Sequence, residues 1–273
     1  MQKTKNPGNN QQNTWKYGIA MQSVLPMRRE PQEQSEMVSQ LLFGETYCVE
    51  EIREKWLRIT ASYDHYPGWI DRKLFREISR HDYAQQISYP PLVLASKIAE
   101  LQLPDSSAFL IPAGSNLPGY DPSTQSIEVA DVKLIVRPVI ADIVPATPMQ
   151  IIQTALGFLN SPYLWGGRSI FGFDCSGFVQ VVYKIHGYSL PRDTSLQAES
   201  GIEVRNIYEA RSGDLAFFVN ETGNINHVGI IISHEEIIHC SGWVRIDRLD
   251  PKGIINRETG IRTHLLTSLR RPS

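Results

Sequence analysis

The chain has 273 residues. At about 150 residues per domain this implies two domains, or three if some are small barrels. Hydrophobic residues make up 41% and charged residues 21%, which excludes fibrous and generally disordered classes. Lys plus Arg count 27 against 29 for Asp plus Glu, a net charge of −2, and this balance disfavours a nucleic acid or an anionic membrane surface as partner.

No apolar run reaches the roughly 18 residues of a membrane span. The first twenty residues lack the apolar stretch of a secretory signal. Cys48, Cys175 and Cys240 are odd in number and far apart, so no disulfide framework is expected. A reducing compartment fits this pattern, and the expected location is cytoplasmic, with a periplasmic or extracellular location as the alternative if a signal was removed.

Residues 1–14 are polar and rich in Asn and Gln, and are expected to form a disordered lead-in. From 15 to 79 short β-prone runs alternate with turn signals. Trp56, Arg58 and Thr60 alternate with Leu57, Ile59 and Ala61 in the period-2 pattern of a half-buried strand. A small barrel is expected there, and the texture of residues 80–145 suggests a second. Pro145 and Pro148 mark a boundary. Helical spacing begins at Met149, where Ile152, Ala155, Leu156 and Leu159 can share one face. The remainder, 146–273, reads as helices followed by an antiparallel meander, so the class is α+β.

The densest chemical signal is PYLWGGRSIFGFDCSGFVQVVYKIHG, residues 162–187. Asp174 is placed to cap a helix beginning at Cys175 or Ser176, which puts a thiol at a helix N-terminus. There the positive end of the macrodipole favours thiolate, and free N–H groups can donate to a developing oxyanion. A small buried hydrophobe is the bland alternative for Cys175. The segment NINHVGIIISHEEIIHCSG offers a base. A hairpin turn centred on Ser233 pairs His227 with His239, so that one imidazole can take the thiol proton and the other orient it. A one-residue slip would put them on opposite faces. Cys175, His227, His239 and Cys240 could instead hold zinc, but no close ligand pair is present, and no metal or other cofactor is expected.

The ordered runs YLWGGRSIFGFDCSGFVQVVY, LPRDTSLQ, GDLAFF, NHVGIII and IIHCSGWVRID resemble the NlpC-type cysteine peptidase family over residues 146–273. The resemblance implies a papain-like α+β fold behind bacterial SH3-like barrels. It implies Cys175 as nucleophile, His227 as base and His239 as orienting residue. It further implies cleavage of the bond between γ-D-Glu and a diamino acid in murein peptides with a free N-terminal L-Ala. Tyr163, Trp165, Asp174 and Ser176 match the family's substrate site in kind, and Tyr66 resembles a barrel aromatic that reaches into the cleft. Val38 stands where an acid for the substrate's amine is expected, so Glu36, two residues earlier, is its nominated substitute. Asp193 and Thr194, with Arg192, either line the site or cap the next turn. A cell-wall amidase or acyltransferase on the same scaffold, or an inactive wall-binding protein, are the rival readings.

Overall fold

The computed structural model describes residues 16–137 and 146–273; the lead-in 1–14 and Pro145 lie outside the described residues. The alternating segments form seven strands: β1 (Lys16–Ile19), β2 (Val24–Arg28), β3 (Met37–Leu42), β4 (Thr46–Arg53), β5 (Trp56–Ala61), β6 (Pro67–Asp71) and β7 (Glu77–Ile78). They make one antiparallel sheet in the order β3-β2-β6-β5-β4-β1-β7. In β5 Leu57, Ile59 and Ala61 point inward with Leu25, Leu41 and Ile70, while Arg58 is exposed, as the period of two requires.

Helix α1 (Arg80–Ser88) follows, capped by the Ser79 hydroxyl, which accepts from Asp82 N; it buries no residue. Beyond it lie β8 (Leu92–Val93), β9 (Ile98–Gln102), β10 (Ala108–Pro112), β11 (Asn116–Leu117), β12 (Ser126–Val129) and β13 (Val132–Arg137). Four of these strands form an antiparallel sheet, β10-β9-β13-β12, beside a β8–β11 ladder. Its core residues Leu101, Ile111, Leu134 and Val136 are continuous with Ile19 of the first sheet and Phe43 of the turn after β3.

Helix α2 (Pro148–Gly157) starts at Pro148, one residue before the expected Met149, with Thr147 as its cap. Its buried face is Ile151, Ile152 and Ala155. Leu159 falls outside it because the helix stops at Gly157, and that side chain is 38% exposed. Next come β14 (Arg168–Ser169), β15 (Gly172–Phe173), α3 (Cys175–Ile185), α4 (Thr194–Gln197), β16 (Ile202–Glu203), β17 (Leu215–Val219), β18 (Ile225–Ser233), β19 (Glu236–Ser241), β20 (Trp243–Asp250), β21 (Gly253–Ile255) and β22 (Arg262–Arg271). The second large sheet runs β16-β22-β17-β18-β19-β20-β21, and β21 also pairs with β22, which closes the meander on itself. Helices preceding an antiparallel sheet make this part α+β.

Every residue of α3 is buried. One side packs Phe178 and Val182 against Phe217, Val228, Ile230 and Ile238, and the same core takes in Leu42 and Ala113 from the preceding sheets. The opposite side carries charge. Lys184 Nζ lies 2.6 Å from Glu45 Oε1, and the Arg168 guanidinium donates to both Glu45 oxygens at 2.9 and 3.0 Å. Lys184 also donates to the Gly114 carbonyl and Arg168 to the Gln40 carbonyl. Burial alone would raise the Glu45 carboxyl, yet Arg168 and Lys184 hold it down at about 2. A fully buried anion from the turn between β3 and β4 therefore fixes α3 and its loop against both β-rich units.

Candidate active site

The N-terminus of α3 is built by Asp174. Its Oδ1 accepts from Gly177 N at 2.7 Å, Ser176 Oγ at 3.3 Å and Arg192 Nη1 at 3.1 Å; its Oδ2 accepts from Gly166 N at 2.9 Å and Arg192 Nη2 at 2.5 Å. With five donors on it, this buried carboxylate faces the interior. That corrects the expectation that it meets substrate, and makes it a positioning residue for the 163–177 loop. Ser176 also accepts from Arg192 Nη1 at 2.8 Å. The same loop docks on the first sheet at Gly166. Its φ is +76°, and a Cβ there would lie 2.3 Å from the Met37 carbonyl oxygen, so only glycine fits.

Cys175 is the first residue of α3 and is 7% exposed. Its Sγ lies 3.7 Å from Thr194 Oγ1 and 3.9 Å from the carbonyl oxygen of Asn226, the residue before His227. Burial, followed by the Asp174 charge, pushes the thiol up to about 11, against the pull of Thr194 and the N–H groups of Val228 and Ser176. The helix terminus alone does not yield a resting thiolate, because desolvation and the capping carboxylate outweigh it.

The two histidines meet in a register different from the expected one. His239 pairs with Gly229, so the hairpin is offset by two residues from the pairing of 227 with 239. An even offset preserves the face of the sheet, and His227 becomes the diagonal neighbour of His239. Their rings touch edge to face, with His227 Nε2 2.8 Å from His239 Nδ1. Gly229 makes room for this, since a Cβ there would approach His239 Cβ to 2.9 Å.

On its other side His239 pairs with Arg245, and its diagonal neighbour on the same strand, Asp247, places Oδ2 3.0 Å from His239 Nε2. Sequence reasoning missed Asp247. The signal that could have found it is Ser241-Gly242, the turn that fixes β19 against β20, with Gly242 at φ +75°. Burial works to raise the Asp247 carboxyl, but the bonds from His239 and the Arg257 N–H hold it at about 2. Arg245 Nη2 donates to Asp247 Oδ1 at 3.1 Å, while its Nε lies 3.0 Å from Oδ2 but out of line for a hydrogen bond.

These contacts fix the protons, by inference from the network. Burial lowers the pKa of both His227 and His239, so both rings are neutral at pH 7. Ionised Asp247 only accepts, so His239 Nε2–H donates to it and His239 Nδ1 carries no proton. That nitrogen then accepts from His227 Nε2–H. His227 Nδ1 is left bare, the free lone pair of the row.

A cavity of about 410 Å³ lies between the first sheet and α4, with Arg29, Val38, Asp64, Tyr66, Arg192 and Asp193 among its walls. Its wall residue Asp193 is followed in the chain by Thr194, whose Oγ1 lies 3.7 Å from the thiol. Burial and then the Asp193 charge, which accepts the Tyr66 hydroxyl, push that phenol up to about 12. Asp193 stands at the N-cap of α4 but makes no side-chain cap bond, so it faces the cavity rather than its own helix. Arg192, expected to line the site or cap the next turn, is buried, lines this cavity and also bonds Ser39 of the first sheet at 3.1 Å.

The expectation for Glu36 is corrected. Its oxygens accept from the Trp165 indole N–H and from Arg29 Nε, each at 2.6 Å, so the carboxylate bridges the loop to the barrel and is absent from the cavity wall. Trp165 itself is 60% exposed above this bridge. Tyr163 is anchored through its N–H to the Gly242 carbonyl, and desolvation followed by the Cys175 charge raises its phenol. Cys240 turns to the other side of β19, where its Sγ meets the Phe173 carbonyl at 3.2 Å; among the described residues no His, Cys, Asp and Glu cluster has a metal-holding arrangement.

A thiol at a helix start, 3.9 Å from the carbonyl of the residue before His227, together with a hydrogen-bonded row of neutral imidazoles, is apparatus for acyl transfer through sulfur, and the protein falls in the class of cysteine peptidases. The NlpC/P60 family profile matches residues 160–263, and the profile of the bacterial dipeptidyl-peptidase Sh3 domain matches residues 27–73. A gamma-D-glutamyl-L-lysine dipeptidyl-peptidase of Bacillus subtilis is 34% identical over 221 residues, covering 74% of this chain and 71% of that protein. One of the same name from Bacillus cereus is 27% identical, covering 85% of this chain and 76% of that protein. The chain belongs to the NlpC/P60 family. The crystal structure of an NlpC/P60 family protein from Bacillus cereus shares the fold with a TM-score of 0.80 at 21% identity, covering 94% of this chain and 99% of that one. One barrel thus has a named counterpart, the Sh3 match at 27–73.

Proposed function

We propose that the protein hydrolyses the bond between γ-D-Glu and an L-diamino acid in short murein peptides that carry a free N-terminal L-Ala. The observation that carries this reading is the cavity walled on one side by the first sheet and furnished with Tyr66 and with Asp193, whose chain neighbour Thr194 lies 3.7 Å from the thiol. A wall at that end admits the end of a peptide and excludes a continuing chain, and a carboxylate there suits an ammonium group. The names of the Bacillus relatives point to the same bond.

In this reading His227 Nδ1 takes the Cys175 proton as Sγ attacks the γ-carbonyl. N–H groups at the start of α3 hold the oxyanion, and the resulting imidazolium protonates the leaving amine. Water, deprotonated by His227, then releases the acyl group. Asp247 and His239 stabilise the imidazolium without moving from place. Asp193 replaces Glu36 as the partner of the substrate ammonium, because Glu36 is already engaged by Arg29 and Trp165. All three cysteines are free thiols, which supports a reducing compartment and a role in recycling murein peptides.

Comparison of L-Ala-γ-D-Glu-L-diamino acid with its N-acetylated form tests the reading. Wild type is expected to prefer the free amine, and Asp193→Asn to lower kcat/KM for it by about 10- to 150-fold, the worth of a charge-assisted hydrogen bond. Equal cleavage of both peptides by wild type would overturn the proposed end recognition.

A further inference from the structure

The row of side chains on this face of the sheet continues past His227. Phe218 is the direct cross-strand partner of His227 on β17, and also pairs with Leu266 of β22. His264, two residues before Leu266, therefore rises on the same face. Its ring stacks on that of His227 with centroids 4.2 Å apart and planes 28° apart, and lies 5.8 Å from the His239 ring. Phe218 closes the underside, 5.9 Å from His227 and 6.0 Å from His264.

A single hydrogen bond through Nε2 leaves an imidazole free to swing about that contact. The orientation of Nδ1 then depends on what touches the ring's faces. His264 supplies a flat surface at stacking distance, and its own Nδ1 is held at 2.8 Å by Thr263 Oγ1. We propose that His264 is a positioning residue whose ring face holds the His227 imidazole in the plane that aims Nδ1 at the thiol. The inference rests on the reading of Cys175 and His227 as nucleophile and base. Desolvation and then His239 lower the His264 pKa to about 4, so the stacked partner is uncharged where His227 must become cationic.

His264→Ala and His264→Phe separate this role from bulk packing. His264→Ala is expected to lower kcat by about 10- to 100-fold, the cost of a misplaced catalytic group, with KM within about twofold. It should slow alkylation of Cys175 by iodoacetamide by a similar factor. His264→Phe restores a flat face, and should return both rates to within about threefold of wild type. The proposal is overturned if His264→Ala keeps kcat within twofold, or if folded His264→Phe loses more than tenfold. Should wild type fail to cleave the tripeptide, the functional reading falls, while the alkylation rates still test the stack.

Discussion

Replacing Asp247 by Asn leaves its volume intact and reverses the proton order of the row. Asp247 Oδ1 receives two obligate donors, Arg245 Nη2 at 3.1 Å and the Arg257 N–H at 2.8 Å. An asparagine must keep its carbonyl oxygen there, and so presents its NH₂ to His239 Nε2. That nitrogen must then accept, His239 Nδ1 takes the proton and donates to His227 Nε2, and His227 Nδ1 becomes an N–H. The base is blocked in its stable tautomer. Restoring the productive one sets two buried donors against each other, at about 1–3 kcal/mol, and the imidazolium also loses a charge-assisted bond worth about 1.5–3 kcal/mol. Together these correspond to a fall in kcat of about 10²- to 10⁴-fold; the equivalent change in a Ser-His-Asp triad costs about 10⁴-fold. Arg245 keeps compensation from the Trp243 ring at 4.5 Å and from Glu258 at 3.7 Å, so the fold should survive. Imidazole ¹⁵N–¹H spectra read the tautomers directly: His239 should be protonated at Nε2 in wild type and at Nδ1 in Asp247→Asn. The same tautomer in both, or a kcat within tenfold of wild type, would show that Asp247 does not set the proton order of the row.

Because burial depresses the His227 pKa, the base is already neutral at pH 6.5 and protonates only well below it. The acid limb of kcat/KM should therefore have its midpoint under 6.5, and a midpoint at or above that value would contradict the assignment. The same sign governs stability: His227 favours the folded state above the unfolded value of about 6.5, and this contribution is lost as pH falls toward the lower folded pKa. Glu45→Gln leaves Arg168 and Lys184 buried without their anion, and should destabilise the protein by about 3–5 kcal/mol in denaturant titration; a loss below about 1 kcal/mol would show that the trio is not what joins the units.

Residues whose role depends on local structure were legible in the sequence. Asp174 announces the start of α3 by its own capping chemistry, and the thiol position follows from that. The facing of His227 and His239 survived a wrong register because the side-chain period of a strand is two, so only odd errors matter. What failed depends on contacts between distant segments. Glu36 looked free in sequence, but its partners are Arg29 across the β2–β3 turn and Trp165, 129 residues away. Asp174 looked like a substrate ligand until Arg192 and Gly166 are seen closing on it. His264 gives no local sign at all, since it joins the row only when β22 inserts between β16 and β17. The thiol's raised pKa likewise reflects burial by the sheets, which a helix-terminus argument does not contain.

Cleavage of the γ-D-glutamyl bond of a small murein peptide by Cys175, as proposed, is tested most directly by mass spectrometry of L-Ala-γ-D-Glu-L-diamino acid tripeptide incubated with wild type and with Cys175→Ala. The expected products are the dipeptide L-Ala-γ-D-Glu and the free diamino acid with wild type, and intact tripeptide with Cys175→Ala at an unchanged melting temperature. Intact tripeptide with wild type, cleavage at the L-Ala–D-Glu bond instead, or turnover by Cys175→Ala above a tenth of the wild-type rate would contradict it.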